Sequence, residues 1–480
     1  MEKSLSNNIK SQFAQNTDLS SQEFSIGKRK GYIFFIPSIV DMKLLSDGVL
    51  EQIKLYGQEN KKSFSIKALS AQIKPYNLLI SKSEEQLKNI VDEILKGALA
   101  VVFDNDEDAL IIPMQGAEKR AIQEPPTAAV VKGPREGFVE DLNVNLGLIR
   151  KRLKTPQFSI IKKIIGKRTA TEIAICYIDD IVDKDILKEI EKRLEKVEID
   201  AVLDSYYVQS ILESKSNTTF KQVGNTEKPD IAVGKLLEGR VVIVVDGSPI
   251  VLTIPFIFIE ALQNADDYYT FPAKASYVRI IRFVGLIIAI ALPGIYVAMQ
   301  SYHYKVLPIN FLLSLMSSIQ GISFPPILEI LFVLFLFEIL NEASIRMPKY
   351  LGMALSIIGA LILGNTAVEA GIITSPSIVV VAISGITLYI VPDQANECGL
   401  LRTLFTIAGG VAGFFGIVLC FMILTTYLAD ITSFKSPYLA PYAPVIPADK
   451  KDAILKKDLV DMKNRPQSIS NKNKIRLRVK

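Results

Sequence analysis

Glu338, Glu342 and Arg346 recur four residues apart in LFEILNEASIRMP, residues 336–348, at the end of an almost unbroken apolar run. That spacing puts all three on one face of a helix. An ionised side chain within hydrocarbon costs on the order of 2.5–3.5 kcal/mol even on the lenient insertion scale, so this face is expected to meet protein or water. Glu342 and Arg346 have the spacing of an ion pair at a membrane boundary, and Glu338 lies a turn deeper. Glu329 and Glu369 also lie within or beside apolar stretches.

A second polar face runs through LSIIGALILGNTAVEAG, residues 355–371. Ile358, Ile362, Asn365 and Glu369 share one side, and Ser356, Ala360, Gly364 and Ala367 occupy others. Two readings stand. Small residues let helices approach closely; alternatively the Asn365 and Glu369 side lines a water-filled path closed at Ile358 or Ile362, because apolar constrictions gate by dewetting.

Enzyme chemistry has little to work with. The chain has no P-loop, no Gly-rich nucleotide fingerprint and no Gly-x-Ser-x-Gly elbow, and its one histidine is His303. Carboxylate pairs such as Asp179 and Asp180 read as polar helix starts. Cys176, Cys398 and Cys420 are far apart and lack metal-ligand spacing. No enzyme activity, cofactor or metal is expected.

The elements that carry the charged faces belong to a membrane half. At 480 residues and 49% apolar composition the chain is unusually hydrophobic, and the excess falls between Phe283 and Leu428. FVGLIIAIALPGIYVAMQSY, residues 283–302, is long enough for one crossing. Lys274, Arg279 and Arg282 just before it place its start in the cytosol. Further apolar runs cover about 307–323, 325–341, 350–372, 376–392 and 403–428, the first short, Ser-rich and a candidate re-entrant segment. Six crossings return the basic tail to the cytosol but put Arg346 and Lys349 outside, whereas five do the reverse. The tail, 449–480, carries 11 Lys/Arg against 4 Asp and is expected to rest near anionic headgroups rather than on nucleic acid. The first residues hold no apolar core for a signal peptide and read as a flexible lead-in.

The preceding half repeats itself at a constant offset of 142 residues. IFFIPSIVDMKLL (33–45) lies over ICYIDDIVDKDIL (175–187), and ILKGALAVVFDNDEDALIIP (94–113) over LLEGRVVIVVDGSPIVLTIP (236–255). Each copy predicts a strand, a helix starting near Asp41 or Asp183, a helix ending at Gly97 or Gly239, and a hairpin turning at DNDEDA or DGSP. Between the copies, Phe138, Leu142, Leu146, Ile149 and Leu153 form one buried helical stripe. Arg150, Arg152 and Lys154 lie opposite, as a solvated basic face or a surface for a neighbouring subunit.

The expected fold is therefore a membrane protein with duplicated cytosolic α/β subdomains, then an all-α polytopic transmembrane domain of five to six helical segments. Its divisions are a flexible segment 1–29, subdomain one 30–115, a linker and helix 116–156, subdomain two 157–257, a juxtamembrane connection 258–282, the transmembrane domain 283–448 and a basic cytosolic tail 449–480.

GPREGFVEDLNVNLGLIRKRLKTP, TEKPDIAVGKLLEGRVVIVVDGSP, NADDYYTFPAKASYVRIIRF, FEILNEASIRMP, GALILGNTAVEAGIITSP and SPYLAPYAP occur in order along the chain. With them the sequence resembles the A subunits of GerA-type spore germination receptors over about residues 30–450. The resemblance implies a spore inner-membrane protein acting with a transporter-like, nutrient-binding B subunit and a C lipoprotein. It also implies A subunits assembled as a pentamer around an ion-conducting path that nutrient opens. Candidate subunit-interface positions are Arg135, Glu136, Glu140, Arg150, Arg152, Asp266, Asp267, Tyr268, Tyr269, Arg279 and Arg282. The family's usual Arg and Gly are replaced here by Asn341 and Ser344, so no role of that arginine carries over.

The expected function is a nutrient-gated channel component, with Glu338 facing the oligomer interior or a neighbouring subunit. A secondary transporter and a non-conducting scaffold are the alternatives. Transporters usually repeat within the membrane half, and repetition here is visible only in the soluble half.

Overall fold

The structure is a computed structural model that describes residues 5–477 apart from 14–15, 27–28, 60–65, 67–68, 71–76, 81–83, 105, 107, 115, 117–131, 214–217, 321, 323, 347–358, 360–363, 365 and 392–393. The chain divides into two units, one built from 1–256, 433–436 and 462–480, the other from 257–432 and 437–461.

In the first unit, strands β1 (Ser20–Ile26), β2 (Arg29–Phe35), β3 (Asn77–Ile80), β4 (Ala98–Phe103) and β5 (Asp108–Pro113) form an antiparallel sheet of order β1-β2-β4-β5-β3. Strands β6 (Phe158–Ile165), β7 (Thr171–Ile178), β8 (Gly224–Thr226), β9 (Val241–Val245) and β10 (Val251–Ile254) form a second, of order β6-β7-β9-β10-β8. The central strands β4 and β9 are runs of Val, Ile, Leu, Ala and Phe buried on both faces, which is why they do not alternate with polar residues.

The offset of 142 holds atom for atom in places. Tyr32 pairs with Val102 as Ala174 pairs with Val244. The Asp104 amide donates to Lys30 O as Asp246 donates to Glu172 O. Asp41 Oδ1 accepts from the Lys43 amide at 2.9 Å, and Asp183 Oδ1 from the Asp185 amide at 2.9 Å. Gly97 and Gly239 both take φ +97°, the left-handed helix end that a side chain disfavours.

Helices α1 (Leu5–Gln12), α2 (Glu51–Glu59), α3 (Glu84–Leu95), α4 (Leu142–Arg152), α5 (Lys184–Glu195), α6 (Ser205–Leu212) and α7 (Pro229–Leu237) complete this unit. Residues 5–12 and 20–26, expected within a flexible lead-in 1–29, are ordered elements, because α1 buries Leu5 and Ile9 and β1 forms a sheet edge. The stripe between the copies starts later than the spacing suggests. Asp141 accepts from the amides of Asn143 and Val144 and starts α4 at Leu142, leaving Phe138 buried but outside the helix. Arg150 is not on a solvated face: it is buried, with Nε 3.1 Å from Asp18 Oδ2 and its Nη2 donating to Phe158 O. The adjoining segment continues the link, with the Thr17 amide donating to Ile160 O.

The tail is not free either. Within the first unit the Lys472 amide donates to Ile181 O at 2.8 Å, Asn471 bridges Val182, Arg465 Nε donates to Leu237 O and Ile469 is buried.

The second unit is helical: α8 (Pro272–Ser301), α9 (Ile309–Ile319), α10 (Pro326–Arg346), α11 (Ser375–Leu388) and α12 (Ala395–Asp430). Among the described residues, two helices are long and apolar enough to cross a membrane, Pro272–Ser301 and Glu397–Asp430. Among the described residues the five to six segments expected from the sequence are not all present as such helices, and most of 350–372 lies outside the described residues. α12 also departs from the single run read at 403–428. A straight helix of its 36 residues would be about 54 Å long, but Gly413 has φ +61° and ψ −145°, a backbone region essentially reserved for glycine. The chain folds back there. Phe405 and Phe421, about 24 Å apart along a straight helix, have ring centroids 4.6 Å apart. α12 is therefore a hairpin of two apolar arms.

Direction follows from side-chain partners. Tyr302, ending α8, donates to Gly410 O and Val411 O at the hairpin tip. Gly294 packs so closely on Phe405 that a Cβ would overlap Phe405 O, and with Tyr302 at 410–411 this makes the first arm run parallel to α8. Ser384 donates to Ala289 O and Gly285 faces Thr387, so α11 runs antiparallel to α8. Glu329 meets Thr374, and Asn341 meets Tyr389, so α10 runs with α11.

Candidate functional site

Glu338 separates from Glu342 and Arg346. Arg346 Nε lies 2.7 Å from Glu342 Oε1, and the pair is exposed at 77% and 62%. An exposed pair of this kind contributes ~0–1 kcal/mol in water. Glu338 instead reaches across to α12, where its Oε1 takes a hydrogen bond from Arg402 Nη2. Arg402 is 1% exposed and Glu338 46% exposed. The guanidinium also lies over the Phe337 ring at 5.4 Å, and its Nη1 reaches Ser384 Oγ at 3.4 Å. α10, α11 and α12 thus all contribute to a charged node whose acidic end faces outward. Gly385 allows it, since Phe337 fills the space a side chain there would need.

Sequence reasoning missed Arg402 because it sits just outside an apolar window. The available signal was its isolation: it is the only basic residue between Lys349 and Lys435.

Glu329 is buried and takes hydrogen bonds from the Thr374 amide at 2.6 Å and its hydroxyl at 2.8 Å, with Ser377 2.8 Å from that hydroxyl. Thr374 caps α11, so the carboxylate sits at a helix N-terminus where unpaired amides and the helix dipole favour an anion. Glu369 is exposed after one helical turn, Ala367–Glu369. Ile358, Ile362 and Asn365 lie outside the described residues.

The expected subunit-interface positions split into two kinds. Arg150, Asp267 and Arg279 are buried inside the chain and are spoken for there, contrary to a surface role. Asp267 pairs with Arg279 at 2.9 Å and Arg282 at 2.7 Å, and Arg279 also holds Asp452 at 2.9 Å. The Tyr268 hydroxyl donates to Asp452, and Lys456 Nζ donates to Asp267 O. Desolvation lowers the pKa of Lys456. Asp452 and Lys456, counted with the tail, are therefore part of the base of α8. Glu136 bridges Lys151 and Arg152 at 2.7 and 2.5 Å. Arg135, Glu140 and Tyr269 are exposed, and Asp266 is partly so.

The arrangement couples helices through charge inside an apolar unit and leaves one carboxylate open to the outside. Among the described residues no group of three or more His, Cys, Asp or Glu could hold a metal ion.

Comparison with known proteins bears on this architecture. A family model for the Bacillus/Clostridium GerA spore germination protein matches residues 7–468. Spore germination protein KA of Bacillus subtilis (strain 168) is 34% identical over 98% of this chain and 88% of its own length. Spore germination protein GerQA of Bacillus cereus is 32% identical over 96% and 92%. The uncharacterized membrane protein YfkQ of Bacillus subtilis (strain 168) is 33% identical over 95% and 89%. The crystal structure of the N-terminal domain of the A subunit of the Bacillus megaterium spore germinant receptor GerK3 covers 52% of this chain and 93% of its own, with 27% identity and a TM-score of 0.40. The match across nearly the whole length makes this chain a member of the GerA family of spore germination proteins.

Proposed function

We propose that this chain is the A subunit of a nutrient-gated spore germination receptor and forms part of an ion-conducting oligomer, a pentamer, in the spore inner membrane, with B and C subunits as partners. The observation that carries the reading is the Glu338–Arg402 pair. Its carboxylate is almost half exposed on an apolar helix, and lipid is a poor neighbour for it. An oligomer interior wetted by water, or an adjoining copy, is the environment it fits. Ile358, Ile362, Asn365 and Glu369 remain the candidates for the path and its gate, and Arg135, Glu140, Asp266 and Tyr269 for subunit contacts.

Topology supports the reading. The chain leaves the α/β unit after Phe256 and rejoins it at Ser433, which requires an even number of crossings. With the α12 hairpin counted as two passes and 307–323 as none, six crossings put Arg346, Lys349 and the tail on one side. That satisfies the positive-inside rule without the conflict met in the sequence. Exposed Tyr302 and Tyr304 just past the end of α8 suit an aromatic belt.

The test is recording in planar bilayers with all three subunits present. Nutrient should open discrete currents, Glu338→Gln and Glu369→Gln should change their conductance or selectivity, and Ile358→Ala or Ile362→Ala should leak without nutrient. Silence of the complete receptor, or currents indifferent to all four changes, overturns the channel and favours the scaffold.

A further inference from the structure

The tip of the α12 hairpin is held by the end of α8. Breaking a helix at Gly413 frees carbonyls before it and amides after it, and such groups need partners where water is scarce. Tyr302 supplies the donor, bonding Gly410 O at 3.0 Å and Val411 O at 2.8 Å. The one histidine of the chain supplies the acceptor: the Phe414 amide donates to His303 Nε2 at 3.5 Å. The imidazole stacks on Phe414 with centroids 4.8 Å apart, and a Cβ on Gly413 would lie 2.9 Å from Nε2.

An Nε2 that accepts belongs to a neutral ring with its proton on Nδ1. Protonation turns Nε2 into a donor facing another donor and places a cation against an uncharged arm, since no Asp, Glu, Lys or Arg lies between Arg402 and Asp430. We infer that His303 is a proton-operated latch: neutral, it keeps the hairpin tip closed on α8, and protonated, it releases the Phe414 amide and lets the tip open.

Among the described residues few other ionisable groups bear on it; Glu369 follows Ala367 and Val368, which pack in one cluster with Leu307. From its own segment these are Tyr302, at 6.4 Å between ring centroids, Tyr304 and Lys305. α12 presents none at the tip, and α9 contains none. The carboxylate of Glu329 is held by Thr374 at the level of Tyr296, two helical turns and ~10 Å back along α8.

The test is hydrogen exchange of the full chain in lipid nanodiscs, followed by mass spectrometry of peptides covering 410–418 and corrected for intrinsic rates, between pH 8 and pH 5.5. Wild type should lose protection about tenfold on acidification, the scale of one net hydrogen bond. His303→Gln, which offers an acceptor that does not titrate, should stay protected at both values. His303→Phe, which keeps the stack and lacks the acceptor, should be open at both. Protection indifferent to pH in wild type overturns the latch, and so does a fall of the same size in His303→Gln. If His303→Phe fails to fold, the wild type and His303→Gln pair decides alone.

Discussion

The two α/β copies share strand order, the register of their central strands and the Asp and Gly helix caps, yet they close one corner with different pieces of chain. In the first copy the Asp41 amide donates to Met114 O, and Gly116 packs against Asp41, so the copy is completed by its own next residues. In the second copy the equivalent of Met114 is Phe256, where the chain leaves for the helical unit. The vacancy beside Asp183 is filled from more than 200 residues away: Ser470 donates to Asp183 Oδ2 at 2.6 Å, Asn471 bridges Val182 and Lys472 bonds Ile181. A duplicated fold was thus opened at one corner, and the C-terminal segment became its missing part.

That difference can be broken in graded ways. The largest effect is expected where the N-terminal segment is stitched to the second copy. Arg150→Ala strands the buried Asp18 carboxylate and should cost about 3–5 kcal/mol, whereas Arg152→Ala, whose partner Glu136 keeps Lys151, should stay within about 1 kcal/mol. Thermal or urea unfolding of the two variants checks the contrast.

Deleting 462–480 should uncover the corner of the second copy alone. Burial of Ile469 by itself is worth about 1.5–3 kcal/mol. Hydrogen exchange should rise at 181–187 and stay unchanged at 39–45, and equal rises in both copies would refute the asymmetric closure.

Gly97→Ala and Gly239→Ala both force a side chain into the left-handed region, at about 1–3 kcal/mol each. Gly239→Ala should cost more, because its Cβ would lie 2.9 Å from Asn471 Cβ. The excess should vanish when both changes are made in the chain lacking 462–480, as a double-mutant cycle can measure.

The smallest effect is a pH dependence. Burial pushes Asp183 up, but donation from Ser470 and the Asp185 amide, with the charge of Lys435, outweighs it and holds the carboxyl below its ordinary 3.8. A carboxylate depressed on folding contributes stability above its unfolded value and loses it as pH falls through the folded one. Attachment of 468–474 should be constant near neutrality and loosen below about pH 4. Asp183→Asn should remove that dependence, with exchange of the 468–474 amides as the readout.

What was legible in the sequence was local or repeated. Apolar runs, the Asp starts at 41 and 183, the Gly stops at 97 and 239 and the hairpins each depend on neighbours within a few residues, and the repeat doubled every signal. Glu342 and Arg346 were readable for the same reason, since four-residue spacing brings them together on any helix. The tertiary structure alone decided that Arg150 is buried, that Glu338 turns to Arg402, that the tail completes the second copy, and that α12 folds back at Gly413 against Tyr302 and His303. Each joins residues distant in the chain, and which of several available partners a charge or an edge meets is set by packing, on which local spacing carries no information.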